Sequence, residues 1–322
     1  MGAEFDAVVI GRNEGARLAA ALGAVIGVAR HVVYVDSGSR DDSVAQARAL
    51  GVQVHELDPT RPFSAARARN EGFAALGPGR AELVQFVDGD CVLQPNWPAT
   101  ALDFMASHPR AGLVFGRQFE AAPDASVYNA LIDWEWDKPT GPDSFCAGCL
   151  LMRSAALEAV GGYDEALIAG EDDDLCLRMQ QAGWQTWRIT TLMSEHDAAL
   201  LSFAPWWRRM MRAGHSYGAL GRKHGTEARA QRLRALGWGV LMPGLALIGL
   251  LFYWPVLAVA ALLVCVSLAR QSLRFHRRGN SMARALHMAA ILMAGKMAEA
   301  QGLALYVWRR LRGQGARLIE YK

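Results

Sequence analysis

From Ala235 to Ala269 the chain runs for 35 residues without one Lys, Arg, Asp or Glu. As a single straight helix this run would be about 52 Å long at about 1.5 Å per residue, far beyond the roughly 30 Å of bilayer hydrocarbon. It therefore predicts a hairpin of two membrane-crossing helices of about 17 residues each. The break is expected near Phe252-Tyr253-Trp254-Pro255, and Pro243 and Gly244 are able to kink the first helix.

Charge on either side supports that reading. Residues 1–205 hold 15 Lys+Arg against 28 Asp+Glu, whereas residues 206–322 hold 19 against 3, so the formal charge of +3 is a cancellation of two unlike parts. Eight basic residues lie between 208 and 234 and five between 270 and 284, which places both flanks of the hairpin on the cytoplasmic side. A third apolar segment, 285–308, is interrupted by Lys296 and Glu299 and followed by Arg309, Arg310 and Arg312. It is expected to be an interfacial or re-entrant amphipathic helix, with a third span as the alternative.

The first apolar run, Ala7–Ile10, is too short for a secretory leader, so the N-terminal part is expected in the cytosol. An apolar content of 52% excludes a disordered chain, and five scattered cysteines do not make a disulfide framework. Cys146 and Cys149 have the spacing of a redox pair, but core packing is the simpler reading. Nucleic-acid binding is disfavoured, because the acidic part is the globular one and the basic residues border apolar segments.

Within residues 1–205, apolar β-branched runs alternate with helical spacings. Strands are predicted at Asp6–Ile10, His31–Val35, Val52–Glu56 and Leu83–Val87, with helices at Asn13–Ile26, Val44–Leu50 and Ala65–Ala75 between them. This alternation predicts an α/β domain with a mostly parallel sheet covered on both faces. Ligands of such sheets bind at the carboxyl ends of the strands. The loops to read are therefore Gly11-Arg12-Asn13-Glu14, Asp36-Ser37-Gly38-Ser39 and Asp88-Gly89-Asp90. The stretch from Gly112 to Pro142 is less regular and is expected to form a flap.

Asp88-Gly-Asp90 is a DxD pair. With 17 aspartates in 322 residues roughly one such pair arises by chance. Its position directly after a buried strand strengthens it, since two hard carboxylates there suit Mg²⁺ or Mn²⁺ with water and phosphate completing the shell. Gly170-Glu-Asp-Asp-Asp174 opens a helix; carboxylates complement the helix dipole, but four in a row exceed what a cap requires.

Ile10-Gly-Arg-Asn-Glu14, Asp36-Ser-Gly-Ser-Arg-Asp-Asp-Ser43, Ala68-Arg-Asn-Glu-Gly72, Val87-Asp-Gly-Asp90, Gly161-Gly-Tyr-Asp-Glu165 and Gly170-Glu-Asp-Asp-Asp-Leu-Cys-Leu-Arg178 occur in the order and spacing of family 2 glycosyltransferases of GT-A fold. Over about residues 5–200 the chain resembles these inverting, metal-dependent enzymes, which move a sugar from a nucleotide-diphosphate sugar to an acceptor hydroxyl. The resemblance implies that Arg12, Asn13 and Glu14 line the nucleotide pocket, that Asp36 accepts a hydrogen bond from the base, and that Arg69 fixes base or ribose with Asn70 bracing the loop. It further implies that Asp88 touches the ribose or metal-bound water, that Asp90 holds the metal, and that Asp172 is the catalytic base with Glu171 beside it. His196 lies where several relatives place a metal or phosphate ligand. Trp206-Trp-Arg-Arg209 departs from the Gln-x-x-Arg-Trp pattern of processive synthases, which speaks against a polymerising enzyme.

Arg208, Arg209 and Arg212 read equally as juxtamembrane anchors and as contacts to an acceptor phosphate. Trp134 and Trp136 read as core or as a platform for a sugar ring. The expected organisation is a GT-A domain at 1–205, a basic juxtamembrane segment at 206–234, a transmembrane hairpin at 235–271, and a basic loop, third helix and tail at 272–322. Its expected partners are a nucleotide-sugar donor and a lipid-linked or envelope-glycan acceptor, on the cytoplasmic face of a bacterial inner membrane. The alternatives are a polyprenyl-phosphate glycosyltransferase and a catalytically silent nucleotide-sugar-binding membrane subunit.

Overall fold

The structure, a computed structural model, describes residues 4–143, 145, 146 and 148–313. They divide into two compact units: one comprises the chain up to Ala121 with Asp133–Ala198, the other Ala122–Ile132 with the chain from Ala199 on.

The first unit begins β1 (Phe5–Gly11), α1 (Ala16–Val25), β2 (Val32–Asp36), α2 (Ser43–Ala49), β3 (Gln53–Glu56), α3 (Ala65–Ala75) and β4 (Leu83–Asp88). These match the expected alternation, and β3, β2, β1 and β4 are neighbours in parallel register. Chain order reverses at β1, which lies between β2 and β4, so a crevice is expected at the carboxyl ends of β1 and β4. Helix α3 seats closely on the sheet through Gly72, where any Cβ would run into Val8 and Val35. That close approach fixes the preceding turn, which carries Arg69, at the edge of the sheet.

The remainder of this unit is mixed rather than parallel. The chain continues β5 (Cys91–Leu93), α4 (Trp97–Ser107), β6 (Ala111–Glu120), α5 (Val127–Trp136, whose residues up to Ile132 belong to the second unit), β7 (Gly141–Pro142), β8 (Leu150–Arg153), α6 (Ser154–Ala159), α7 (Glu171–Gln181) and β9 (Gln185–His196). The sheet order is β3-β2-β1-β4-β8-β6-β9-β5 with β7 on β9, and β8 runs antiparallel to both β4 and β6. The stretch expected to be an irregular flap is instead largely a ten-residue sheet strand and a helix. Glycines at 112 and 116 masked the strand signal, yet both lie where a side chain would collide with neighbouring atoms.

The second unit is helical: α8 (Phe203–Lys223), α9 (Arg229–Leu236), a π-helical turn at Gly237–Leu241, α10 (Met242–Leu251), α11 (Trp254–His276) and α12 (Met282–Leu311). Two helical stretches, Arg229–Leu251 and Trp254–His276, are long and apolar enough to cross a membrane. The break falls at Phe252–Tyr253 as expected, but each stretch has 23 residues instead of 17 because the flanking arginine-bearing turns are helical too. Leu250, Phe252, Trp254 and Leu262 project their side chains outward, the arrangement of a lipid-facing surface.

The segment expected to be interfacial or re-entrant is part of one continuous 30-residue helix packed along α8 and α11. Its two charges neutralise each other: Lys296 Nζ lies 2.6 Å from Glu299 Oε1, and Glu299 is buried. Helices α8 and α12 meet backbone to backbone, since a Cβ on Gly214 would strike the Glu299 carbonyl and one on Gly302 the Met211 carbonyl. Gly302→Leu should lower the stability of the full chain in detergent by about 1–3 kcal/mol, the usual effect of overpacking a close contact, read as a drop in thermal midpoint.

His215 on α8 is buried beside the Tyr306 ring, and burial, with Arg309 nearby, lowers its pKa from 6.5 to about 4. A depressed histidine contributes stability above its unfolded pKa and loses it as pH falls through the folded value. Stability should therefore fall by on the order of 2 kcal/mol between about pH 6.5 and 4. His215→Asn should remove that part of the pH dependence when the two melting profiles are compared.

Candidate active site

The crevice between β1 and β4 is built by the backbone. Ile10 stands opposite Asp88 in the parallel register, and the Gly89 amide donates to the Ile10 carbonyl at 2.7 Å. The Asp88-Gly-Asp90 turn thus folds over the end of β1, with Glu14 packed against Gly89.

Three of the sequence motifs converge on one buried cation. The Arg69 guanidinium donates to Asp88 Oδ1 at 2.8 Å and to Glu171 Oε1 at 3.1 Å, and lies 3.3 Å from Asp172 Oδ1. It stacks over the Tyr163 ring at 5.4 Å. Burial alone would disfavour its charge, but Asp172 and Asp88 outweigh that and raise its pKa, so it stays protonated. The fit is tight: Gly148 passes so close that a Cβ there would collide with both the Asp88 carboxylate and the Arg69 guanidinium.

Helix α7 sorts the four consecutive carboxylates. Gly170 precedes it in the left-handed region with φ of 77°, and Glu171 to Asp174 form its first turn. Glu171 and Asp172 turn to Arg69, while Asp174 is fully buried on Arg178 at 2.8 Å. Burial and the Asp172 charge push the Asp173 carboxyl well above the usual carboxylate range. Of the pair on Arg69, the Asp172 side chain is 17% exposed and the Glu171 side chain 7%, so Asp172 is the more open of the two.

A second group forms around His196. Antiparallel pairing sets His196 opposite Cys91, and parallel pairing sets it opposite Glu120. His196 Nε2 lies 3.4 Å from Asp90 Oδ2, and its Nδ1 lies 3.5 Å from Glu120 Oε2. The Trp136 ring meets the imidazole edge-on, with 4.8 Å between centroids. The residues fit a divalent cation: Asp90, Cys91 and His196 offer ligand atoms within 4.8 Å of one another, and a carboxylate backs the imidazole as in many metal sites. Burial raises the Cys91 thiol, so it stays protonated and leaves an oxygen and a nitrogen donor. Asp88, also expected near the metal, pairs with Arg69 at 2.8 Å and offers ligand atoms together with Cys91 and Cys149.

The loop residues are partly used by the fold itself. Asp36, expected to meet the base, is buried and accepts from Tyr34 Oη at 2.8 Å and from the Gly38 and Ser39 amides at 2.9 and 2.8 Å. Asn13 Oδ1 accepts from the Arg40 amide at 2.7 Å, and the Asn13 amide donates to Ser39 Oγ at 2.9 Å. These two residues therefore shape the rim. Arg12 lies over the Phe63 ring at 5.6 Å, and Glu14 pairs with Arg17 at 2.9 Å. Asn70 braces the loop as expected, accepting from the Tyr163 amide at 2.8 Å and donating to its carbonyl at 2.9 Å.

Cys149 accepts from the Asp88 amide at 3.5 Å, whereas Cys146 lies 3.0 Å from Cys176, so the two cysteines of the Cys-x-x-Cys spacing do not form a pair with each other. Sequence reasoning missed Glu120, Tyr163 and Gly148. Tyr163 lay inside a recognised motif but carried no assigned role, and Glu120 had no local signal because only the β6–β9 pairing sets it beside His196.

Residues 6–155 match the family described as Glycosyl transferase family 2. The pre-mycofactocin glycosyltransferases of two Mycobacterium tuberculosis strains, CDC 1551 / Oshkosh and ATCC 25618 / H37Rv, are 30% identical over 168 residues, covering 47% of this chain and 34% of each relative. The match thus spans about a third of those relatives' length. Among solved structures, the mannosyltransferase PcManGT from Pyrobaculum calidifontis, in complex with GDP-Man and Mn²⁺, aligns over 97% of this chain and 88% of its own, with a TM-score of 0.58 at 16% identity. S. aureus TarS 1-349 in complex with UDP-GlcNAc aligns over 98% and 93%, with a TM-score of 0.51 at 14% identity. Such identities speak for the fold alone. A mixed α/β sheet with carboxylates gathered at its switch point is a GT-A-like domain. Residues 6–155, just under half of the chain, are thus similar to glycosyl transferase family 2.

Gly148→Ala should reduce activity by roughly a hundredfold without loss of fold, the usual effect of misplacing site groups by about 1 Å, because the added methyl group displaces the Arg69–Asp88 pair. Circular dichroism together with a turnover assay checks this; unchanged turnover would show that the pair is not needed.

Proposed function

We propose that this protein transfers a sugar from a nucleotide-diphosphate sugar to a hydroxyl of a membrane-associated acceptor, by a single inverting displacement. The observation that carries the reading is the Arg69 guanidinium, which joins Asp88 of one motif to Glu171 and Asp172 of another at the edge where α/β sheets bind ligands. A buried, permanently charged group there holds carboxylates in fixed positions around a reacting centre.

In this mechanism Asp172 accepts the proton of the acceptor hydroxyl as the oxygen attacks the anomeric carbon. The bond to the nucleoside diphosphate breaks, and the diphosphate leaves with the electron pair. Arg69 orients Asp172 and Glu171, and Asp88 braces the guanidinium from the other side. Asp90 and His196 would hold Mg²⁺ or Mn²⁺, which when bound supplies positive charge against the diphosphate. Glu120 orients the His196 ring, and Trp136 shields its face. Arg12 and Glu14 are the rim groups assigned to nucleotide contacts, while Asn13 and Asp36 support the rim.

Two helices long enough to cross a membrane and basic residues on both sides of them support a cytoplasmic catalytic domain at a bacterial inner membrane, with a lipid-linked or envelope-glycan acceptor. Asp172→Asn should lower transfer by about 10²–10⁴-fold, the usual contribution of a general base, with donor binding retained. Asp90→Asn should weaken Mn²⁺-dependent binding of the nucleoside diphosphate instead. Calorimetry with UDP, GDP and TDP, alongside transfer of radiolabelled sugar into membranes, separates the two effects. Full transfer by both variants would refute the reading.

A further inference from the structure

The second unit contains a groove of about 840 Å³ between α9 with its π-helical turn and α12. One wall is Leu233, Leu236 and Val240, the other Leu303, Val307 and Leu311, each set recurring at the three-to-four-residue spacing of a single helix face. Two apolar stripes therefore face one gap that no described residue fills. The helices touch where Gly239 abuts the Lys296 carbonyl and the Ala300 methyl.

Arg229 and Arg232 also line the groove, one and two turns before the apolar residues of the same face. Arg232 is fixed by donating to the Gly225 carbonyl at 3.0 Å, yet its Nε is buried without a hydrogen-bond partner among the described residues. Neither arginine has a carboxylate partner among the described residues. Arg312 adds a third cation, stacked on the groove residue Trp308 at 4.1 Å.

The groove also has the right depth. Arg229 begins the first membrane-crossing stretch, and the twelve residues from there to Val240 span about 16 Å at about 1.5 Å per step, roughly one leaflet of a bilayer with about 30 Å of hydrocarbon. Its occupant thus needs an apolar tail one leaflet long and a negative group at the headgroup level. A soluble peptide offers no such continuous apolar tail.

We infer that this groove is a binding site for one anionic glycerophospholipid, with its phosphate on Arg229 and Arg232 and an acyl chain lying between α9 and α12. Anionic phospholipids are the abundant phosphate-bearing amphiphiles at a basic helix end, and basic pockets between membrane helices hold such headgroups. The inference does not depend on the sugar-transfer reading, because it rests on the second unit alone.

The test uses the full-length protein reconstituted in nanodiscs of phosphatidylcholine with an equal amount of phosphatidylglycerol. Native mass spectrometry after release into detergent should find one retained phosphatidylglycerol per chain. Substituting both Arg229→Gln and Arg232→Gln should weaken its retention by roughly 30-fold, from about fivefold per arginine at a membrane surface. Leu303→Trp, which fills the groove without altering charge, should also abolish retention, and circular dichroism verifies that both variants keep their helices. Equal retention by the wild type and the double variant, or a preference for phosphatidylcholine, would overturn the proposal. So would displacement of phosphatidylglycerol by an equimolar isoprenoid monophosphate, which would make that lipid the occupant.

Discussion

A guanidinium with almost no contact with water cannot remain unless anions surround it, and Arg69 is such a group. Its carboxylate partners come from the end of β4 and the first turn of α7, and its aromatic neighbour Tyr163 from the loop between α6 and α7. Without these carboxylates the Arg69 charge would be buried without compensation. The requirement runs both ways, since the carboxylates crowded at the start of α7 need a nearby cation. Gly72 and Gly148 complete the arrangement, the first by letting α3 lie close to the sheet and the second by leaving room for the ion pair.

The mixed half of the sheet performs a different task. A purely parallel sheet would have left Asp90 at the end of a strand with no imidazole beside it. The short strand β5 turns back against β9, and β9 also pairs with β6, so His196 is fixed between Asp90 and Glu120. An acid–imidazole–acid series of this type orients a ring and raises its donor strength toward a cation. The electrostatic groups at Arg69 and at His196 are joined through the backbone of a single turn, Asp88-Gly-Asp90.

In the second unit, packing and charge are again linked. Close backbone contact at Gly214 and Gly302 brings α8 and α12 together, and that contact buries Glu299 beside its own helix neighbour Lys296. An ion pair within one helix lets the charges lie inside a helical assembly, whereas each alone would have forced the segment to the water boundary. This is how a helix with two charged interruptions packs along its neighbours.

By itself the sequence determined the parallel strands β1 to β4, the positions of the motif loops at their ends, and the helix break at Phe252–Tyr253, because burial on both faces and lipid exposure each impose a continuous local pattern. It did not determine which of the four carboxylates at 171–174 faces the site, since helical rotation matters only once Arg69 and Arg178 are placed. Nor did it reveal Glu120 or the antiparallel strands, whose partners lie far away in the chain. Asp36 illustrates the same limit: its motif was legible, but only the folded loop shows its oxygens holding Tyr34, Gly38 and Ser39. Local periodicity is written in neighbouring residues, whereas the identity of an ion-pair partner is decided by strand pairing across a hundred residues, and that belongs to the tertiary structure.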